Sequence, residues 1–138
     1  MLVKSKKAKG RALEGFVAKA FRDVFGYAYA RADSGSGKFQ KEDVTIPHEV
    51  PLFIEVKNQA KLSLKSWWFQ TTYHCPVDKL PVLVYKLNYQ KEPTAVMTAG
   101  GFFQMVKEAR VEDWQDVKVA FSFSDFMEIV KCAFYKKF

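Results

Sequence analysis

Leu52-Phe53-Ile54-Glu55-Val56-Lys57 is an apolar segment that contains one acid and ends in a lysine. In a β-strand, successive side chains point to opposite faces of the sheet. The even-numbered residues would therefore form one apolar face, while Glu55 and Lys57 would project together from the other. The segment predicts a strand whose end presents a carboxylate and an ammonium group side by side.

A second carboxylate is expected beside this strand. The segment from Asp43 to Ile46 is typical of a preceding strand, and residues 47–51, which begin and end in proline, mark the turn. A hairpin of the two strands would bring Asp43 next to Glu55. Two carboxylates and a lysine at a sheet edge can bind a divalent cation and orient a water molecule, and Mg²⁺ commonly takes one or two carboxylates.

Glu14 extends this candidate site. Apolar residues recur at helical spacing from Leu13 to Val24, which predicts an amphipathic helix that ends at Gly26. Glu14 lies at the flank of the apolar stripe, from where it could reach the sheet edge and hold a metal-bound water. In the alternative interpretation, Glu14 is an exposed first-turn acid that complements the helix dipole.

The order of the other predicted elements indicates the fold class. A strand is expected at Tyr27–Ala32, and Ser63 is expected to be the N-cap of a second helix that Pro76 ends. This order favours an α/β fold, in which a small mixed central β-sheet is flanked by helices. Further strands are predicted at Pro81–Leu87 and Thr94–Thr98, and further helices around Phe102–Ala109 and Ser124–Phe134.

Length and charge limit the class of protein. The chain has 138 residues, 49% of them hydrophobic, which is enough for one domain with a sizeable core. We therefore expect a single domain over residues 1–138, with a flexible basic arm at residues 1–9 and a helical C-terminal extension at residues 100–138. The 22 basic and 15 acidic residues give a net charge of +7, which suits a polyanionic partner.

The sequence also excludes two classes as first interpretations. It has neither the run of about 20 apolar residues that crosses a bilayer nor the pattern of a secretory leader, so a membrane protein and an exported protein are set aside. Cys75 and Cys132 are isolated in the sequence and are interpreted as reduced thiols. These features favour a cytoplasmic protein.

Glu14, Asp43 and Glu55-Val56-Lys57 resemble the active-site signature of the PD-(D/E)xK nuclease superfamily. Within it, the chain is most similar to the archaeal-type and phage Holliday-junction resolvases, over roughly residues 9–98. It departs from the pattern at Glu42, where the superfamily name expects proline. The other matching segments are Lys9-Gly10-Arg11, Arg31-Ala32-Asp33-Ser34-Gly35-Ser36, Leu62-Ser63-Leu64, Trp67-Trp68, Gln70 and Leu80-Pro81-Val82-Leu83-Val84.

This resemblance implies a restriction-endonuclease-like core and an Mg²⁺-dependent site in which Mn²⁺ substitutes. Asp43 and Glu55 would ligate the metal, with the carbonyl oxygen of Val56 as a third ligand. Glu14 would bind metal through water. Lys57 would orient the attacking water and stabilise the charge that develops on the phosphate.

The resemblance and the basic residues also indicate where DNA would bind. Gln70 would brace Lys57 or the scissile phosphate, although a simple helix-flank amide is the alternative. Trp67 and Trp68 could stack on bases, but their helical spacing favours a core or dimer interface, for Trp68 above all. The residues expected to contact DNA are Lys6, Lys7, Lys9, Arg11, Arg31, Ser34, Ser36 and Lys38.

The leading hypothesis is therefore an Mg²⁺-dependent, structure-selective endodeoxyribonuclease that resolves four-way (Holliday) DNA junctions as a homodimer. Such an enzyme would serve DNA recombination and repair in the cytoplasm of a prokaryotic or phage-infected cell. One alternative is a nuclease of the same fold that cuts other branched or single-stranded DNA. Another is a non-catalytic DNA-binding module of this fold, which would have no reason to retain all four candidate catalytic residues.

Overall fold

The computed structural model describes residues 6–30, 42–108, 116, 118–120 and 123–134. The chain divides into two compact units, residues 1–97 and residues 98–138. The strands described are β1 (Tyr29–Ala30), β2 (Val44–Thr45), β3 (Leu52–Gln59), β4 (Leu80–Leu87) and β5 (Thr94–Val96). The helices described are α1 (Lys6–Phe25), α2 (Leu64–His74), α3 (Ala99–Val106) and α4 (Phe123–Phe134).

The strands form one mixed sheet in the order β1-β2-β3-β4-β5. β3 and β4 run parallel along their full length, from the pair Leu52 and Leu80 to the pair Gln59 and Leu87. The other neighbouring pairs are antiparallel. A parallel pair needs a crossover connection, and α2 lies within this one. The α/β fold with a mixed sheet flanked by helices, as in a restriction-endonuclease-like core, is thus confirmed.

The two faces of the sheet are covered by different helices of the first unit. The predicted alternation along β3 is confirmed, because Ile54 and Val56 belong to the cluster that α1 covers. On the opposite face, Trp67 of α2 packs with Leu83 and Leu87 of β4. The buried residues of the α1 cluster are Leu13, Val17, Ala18, Ala30, Val44, Ile54, Val56, Val82 and Val84.

Helix α1 ends where the sequence predicts and begins earlier. Gly26 has a φ of 76°, a conformation that glycine adopts readily at the C-terminus of a helix. The helix begins at Lys6, so the prediction of a flexible arm is wrong for residues 6–9. The amide of Asn58 holds the main-chain carbonyl of Lys9 at 3.1 Å, and lysine and alanine favour helix. Residues 1–5 lie outside the described residues.

The other elements differ from the prediction mainly at their ends. Ser63 occupies the N-cap position of α2 but makes no side-chain cap hydrogen bond; instead, its carbonyl accepts the N–H of Trp67 at 3.0 Å. The strand predicted at Tyr27–Ala32 begins two residues later, at Tyr29, so the prediction is wrong for residues 27 and 28. Residues 31 and 32 lie outside the described residues.

The second unit contains α3 and α4, close to the positions of the two predicted C-terminal helices. The hydroxyl of Thr98 caps α3 by accepting the N–H of Gly101 at 3.0 Å. In the described part of the chain, no helix combines the length and the apolar character that crossing a membrane requires.

Candidate active site

Asp43 is fixed to β3 at two points. Its main-chain N–H donates to the carbonyl of Ile54 at 3.1 Å, and its Oδ2 accepts the N–H of Val56 at 2.7 Å. These two partners are the residues on either side of Glu55. The pairing of β2 with β3 is antiparallel, with Val44 opposite Ile54, so the hairpin brings Asp43 beside Glu55 as the sequence predicts. Hydrogen bonds to a charged acceptor are short and strong, which holds the Asp43 carboxylate in place.

Glu55 and Lys57 lie on the same face of β3. Glu55 is opposite Leu83 in the parallel register, and Leu83 packs against Trp67, so this is the face that α2 covers. The Nζ of Lys57 lies 4.0 Å from the Oε1 of Glu55. Asp43 and Glu55 are both buried, and the side chain of Glu55 is 11% exposed whereas that of Lys57 is 22% exposed. The structure thus combines two enclosed carboxylates with an ammonium group that solvent can reach.

Glu14 is not part of this pair of carboxylates. It is half-buried on α1, next to Leu13, and α1 covers the face of the sheet opposite to the one that bears Glu55. Among the residues that the structure describes, no three His, Cys, Asp or Glu side chains form a group that could hold a metal ion. The water-mediated role of Glu14 therefore stays a prediction.

The candidates on α2 separate into core and surface. Trp67 is 4% exposed and its ring centroid lies 5.8 Å from that of Tyr85, so it belongs to the core and is not available to bases. Trp68 is half-buried against the same cluster. Gln70 is exposed on α2, and its bracing role stays a prediction.

The residues expected to contact DNA are described only in part. Lys9 donates from Nζ to the Oδ1 of Asn88 at 3.1 Å in an exposed position, and Arg11 is exposed. Lys6 and Lys7 are in α1, but their side chains are not described. Arg31, Ser34, Ser36 and Lys38 lie outside the described residues.

Asn58 is a residue near the site that the sequence interpretation missed. Its Nδ2 donates to the carbonyl of Lys9 at 3.1 Å, which ties the first turn of α1 to the end of β3, next to Lys57. The strand alternation was the available signal, because residue 58 falls on the same face as Val56 and therefore points towards α1.

One of three comparisons with known proteins gives a match. The chain matches, over residues 5–136, the family model described as "Phage putative PDDEXK endonuclease". Searches of curated proteins and of solved structures gave no significant match. The family match covers nearly the whole chain and includes all the candidate catalytic residues, from Glu14 to Gln70. It confirms the resemblance to the PD-(D/E)xK nuclease superfamily, and the chain belongs to this family of phage PDDEXK endonucleases.

Proposed function

We propose that the chain is a metal-dependent endodeoxyribonuclease that hydrolyses phosphodiester bonds at four-way DNA junctions. The observation that carries the nuclease activity is the attachment of Asp43 to β3 on both sides of Glu55, with Lys57 4.0 Å from Glu55 on the same face. Family membership supports the same reaction. The preference for junctions rests on the resemblance to the resolvases and on the net charge of +7 in a chain without a base-reading motif.

The residues present fit Mg²⁺ as the metal. The carboxylates of Asp43 and Glu55 and the main-chain carbonyl of Val56 are oxygen donors, and both carboxylates are enclosed. Mg²⁺ commonly uses one or two carboxylates and keeps several waters or substrate phosphate oxygens, so a small protein ligand set is sufficient. A bound ion would supply Lewis-acid polarisation of the phosphate and a more acidic water. Mn²⁺, which also prefers oxygen ligands, is expected to substitute.

The chain's own residues have distinct tasks in this proposal. Lys57 presents a positive charge at a partly open position, where it would bind a phosphate oxygen and stabilise the negative charge of the transition state. The N–H of Val56 holds the Asp43 carboxylate in one orientation, so no reorganisation is needed when substrate arrives. Glu14 would hold a water from the α1 side, and Gln70 would brace the phosphate from α2.

Resolution of a junction requires two nicks in opposed strands, and we propose that a homodimer supplies the two active sites. The lysines and Arg11 at the start of α1 would neutralise phosphates outside the site, together with Arg31, Lys38 and the loop serines. Each phosphate contact releases counterions, so affinity should fall steeply with salt.

The experiment that tests this function is a nicking assay. An end-labelled four-way junction is compared with duplex and single-stranded DNA of the same sequence, with Mg²⁺ or with EDTA. Paired symmetric cuts near the crossover that need Mg²⁺ and the junction would establish a resolvase. Metal-dependent cutting of all three substrates would retain the nuclease and reject the junction preference. Tight junction binding without cutting under Mg²⁺ or Mn²⁺ would reject the nuclease and leave a DNA-binding module.

Two variants connect the activity to the site. Glu55→Gln and Asp43→Asn keep the side-chain shapes and remove the negative charges. We expect both variants to lose cleavage and to keep junction binding in EDTA. Cleavage that persists in both variants would reject this active site.

A separate measurement tests the metal. A ligand that binds only the folded state stabilises it by about 2.7 kcal/mol at a concentration 100 times its dissociation constant. We expect Mg²⁺ to raise the unfolding temperature of the wild type and to have a smaller effect on Glu55→Gln. An equal effect on both proteins would place the ion elsewhere.

A further inference from the structure

The outward side of α2 carries two aromatic rings that solvent can reach. Phe69 and Tyr73 are 67% and 76% exposed, and they are one helical turn apart. Their ring centroids lie 6.1 Å apart with an angle of 21° between the planes, so the rings stack on each other. His74 extends the group, since its ring lies 5.4 Å from that of Tyr73. This exposed group is called the Phe69–Tyr73 pair, and it offers the outer faces and edges of its stacked rings to solvent.

The charged residues in the stretch of sequence that contains α2 are all basic. Between Glu55 and Asp78 the sequence contains no acid, and it contains Lys57, Lys61 and Lys65. Lys61 and Lys65 are exposed. Lys65 precedes Phe69 by four residues, so the lysine and both rings lie along one side of the helix. An aromatic surface within a stretch of basic residues is complementary to a nucleic acid, whose bases stack and whose phosphates are negative.

The position of α2 connects this surface to the candidate active site. Trp67, on the inward side of α2, packs on Leu83, and Leu83 is the register partner of Glu55. The helix therefore lies over the face of the sheet from which Glu55 and Lys57 project. DNA that reached Lys57 would lie on the same side of the molecule as α2.

We propose that the Phe69–Tyr73 pair is a stacking surface for unpaired DNA bases, with Lys61 and Lys65 binding the adjoining phosphates. This inference rests on the proposed nuclease function and specifies its substrate as DNA that exposes a base face close to the cut. Unpaired bases do so, and so do the terminal base pairs of the arms where a four-way junction is open at its branch point. In a paired duplex each base is stacked between its neighbours, so only unpaired or terminal bases offer a free face. A second copy of the chain is the less suitable occupant, because a symmetric contact would bring two sets of lysines together.

Binding in EDTA tests the proposal without cleavage. The first probe is a single-stranded oligonucleotide that contains a fluorescent adenine analogue, and stacking quenches the emission of this analogue. The second probe is a duplex of the same sequence with both ends closed by hairpins. The variants are Phe69→Ala/Tyr73→Ala and Phe69→Leu/Tyr73→Leu, with Tyr89→Ala as the control, because Tyr89 is an exposed aromatic residue outside α2. The leucine variant keeps apolar bulk and removes the rings.

We expect both double variants to bind the single strand about 5- to 150-fold more weakly, the range for loss of base stacking, and to lose the quenching. Affinity for the closed duplex and the behaviour of Tyr89→Ala should match the wild type. Full single-strand affinity in either double variant would overturn the proposal. The proposal would also be overturned if the wild type were a dimer and the alanine variant a monomer with unchanged DNA affinity.

The result is separable from the nuclease activity. Mg²⁺-dependent cutting of linear duplex by the wild type, with unchanged single-strand binding in the variants, would overturn the stacking surface and leave the nuclease. Loss of single-strand binding in the variants, with no cutting by the wild type, would support the stacking surface and reject the nuclease.

Discussion

The Oδ2 atom of Asp43 accepts the main-chain N–H of Val56 at 2.7 Å, in a buried position between Glu55 and Lys57. A buried main-chain N–H needs an acceptor. Here the Asp43 carboxylate accepts the Val56 N–H, where in a regular sheet a carbonyl of the neighbouring strand would accept it. The carboxylate is thereby fixed relative to β3 by the backbone. The same bond serves stability and positions a candidate metal ligand.

This double role gives a prediction about Asp43. Asp43→Asn keeps a side-chain oxygen that can accept the N–H of Val56, whereas Asp43→Ala leaves that N–H buried without this partner. We expect Asp43→Ala to lower the free energy of unfolding by about 1–3 kcal/mol and Asp43→Asn to lower it less. Urea unfolding measures both values. Both variants should lose cleavage.

The control for this comparison is Glu92→Ala, which removes an exposed acid. Its free energy of unfolding should stay within about 0.5 kcal/mol of the wild type. If Asp43→Ala were as stable as this control, the bond to Val56 would not contribute to stability.

The sequence predicted the strand that bears Glu55, and its pairing with the Asp43 segment, better than the elements around them. Alternation along Leu52–Lys57 is a local property with a period of two, and proline marked the preceding turn, so β3 and its pairing with the Asp43 segment could both be predicted. The start of α1 could not be predicted from the sequence, because residues 6–9 have no apolar periodicity. They are held by Asn58, which is distant in sequence.

The aromatic residues of α2 show a second limit of prediction from the sequence. The run Trp67-Trp68-Phe69 is apolar throughout, and periodicity alone does not say which ring faces inward. The packing against Leu83 and Leu87 of β4 decides this, so Trp67 is buried and Phe69 is exposed. The core position that helical spacing favours is therefore confirmed for Trp67, and its ring is not available to stack on bases.

Asn58 gives a prediction about the attachment of α1. Asn58→Ala removes the hydrogen bond to the carbonyl of Lys9, and a typical net contribution of such a bond is about 1 kcal/mol. We expect the variant to be destabilised by about that amount in urea. Amide hydrogen exchange should also become faster in the first turns of α1, because they lose their tie to β3.

Asn88→Ala is the matched control for Asn58→Ala. It also removes an amide that contacts Lys9, but this bond to the Lys9 ammonium is exposed. We expect a change below about 0.5 kcal/mol and unaltered exchange in α1. Equal effects of the two variants would show that the Asn58 bond does not hold the helix.

The lysines of α2 give a prediction about salt dependence. Each phosphate contact on a single strand contributes about −0.7 to the slope of log affinity against log salt concentration. The variant Lys61→Ala/Lys65→Ala should therefore flatten the slope for single-stranded DNA by about 1.4, twice the single-contact value. Fluorescence titrations in EDTA measure this slope. An unchanged slope would show that these exposed lysines do not bind phosphate.

Cys75 gives a prediction about pH. Burial raises the pKa of its thiol above the ordinary value, nearby Lys79 opposes the rise, and Asp78 adds to it. The thiol also donates to the carbonyls of Pro76 and Lys79, both at 3.4 Å. In Cys132→Ser, where Cys75 is the sole cysteine, alkylation by iodoacetamide should rise with pH at a higher midpoint than in the urea-unfolded chain.

The sign of the linked stability follows from this shift. Because the folded state holds the Cys75 proton more tightly, its contribution to stability is complete below the unfolded thiol pKa. It declines as the pH rises through the unfolded value towards the folded one. A midpoint equal to that of the unfolded chain would contradict the raised pKa.

Lys57 gives the most direct prediction about catalysis. Its ammonium group lies 4.0 Å from the Glu55 carboxylate, and its side chain is 22% exposed, so we expect it to meet a phosphate oxygen without leaving the site. Lys57→Met keeps the length of the side chain and removes the charge. Loss of one group that stabilises transition-state charge costs about 10²- to 10³-fold in kcat, and we expect a loss of this size in Mg²⁺.

Lys91→Met, at an exposed lysine between β4 and β5, is the control and should cleave like the wild type. A Lys57→Met enzyme with normal kcat and weaker DNA binding would make Lys57 a binding residue and leave the transition-state charge to other groups.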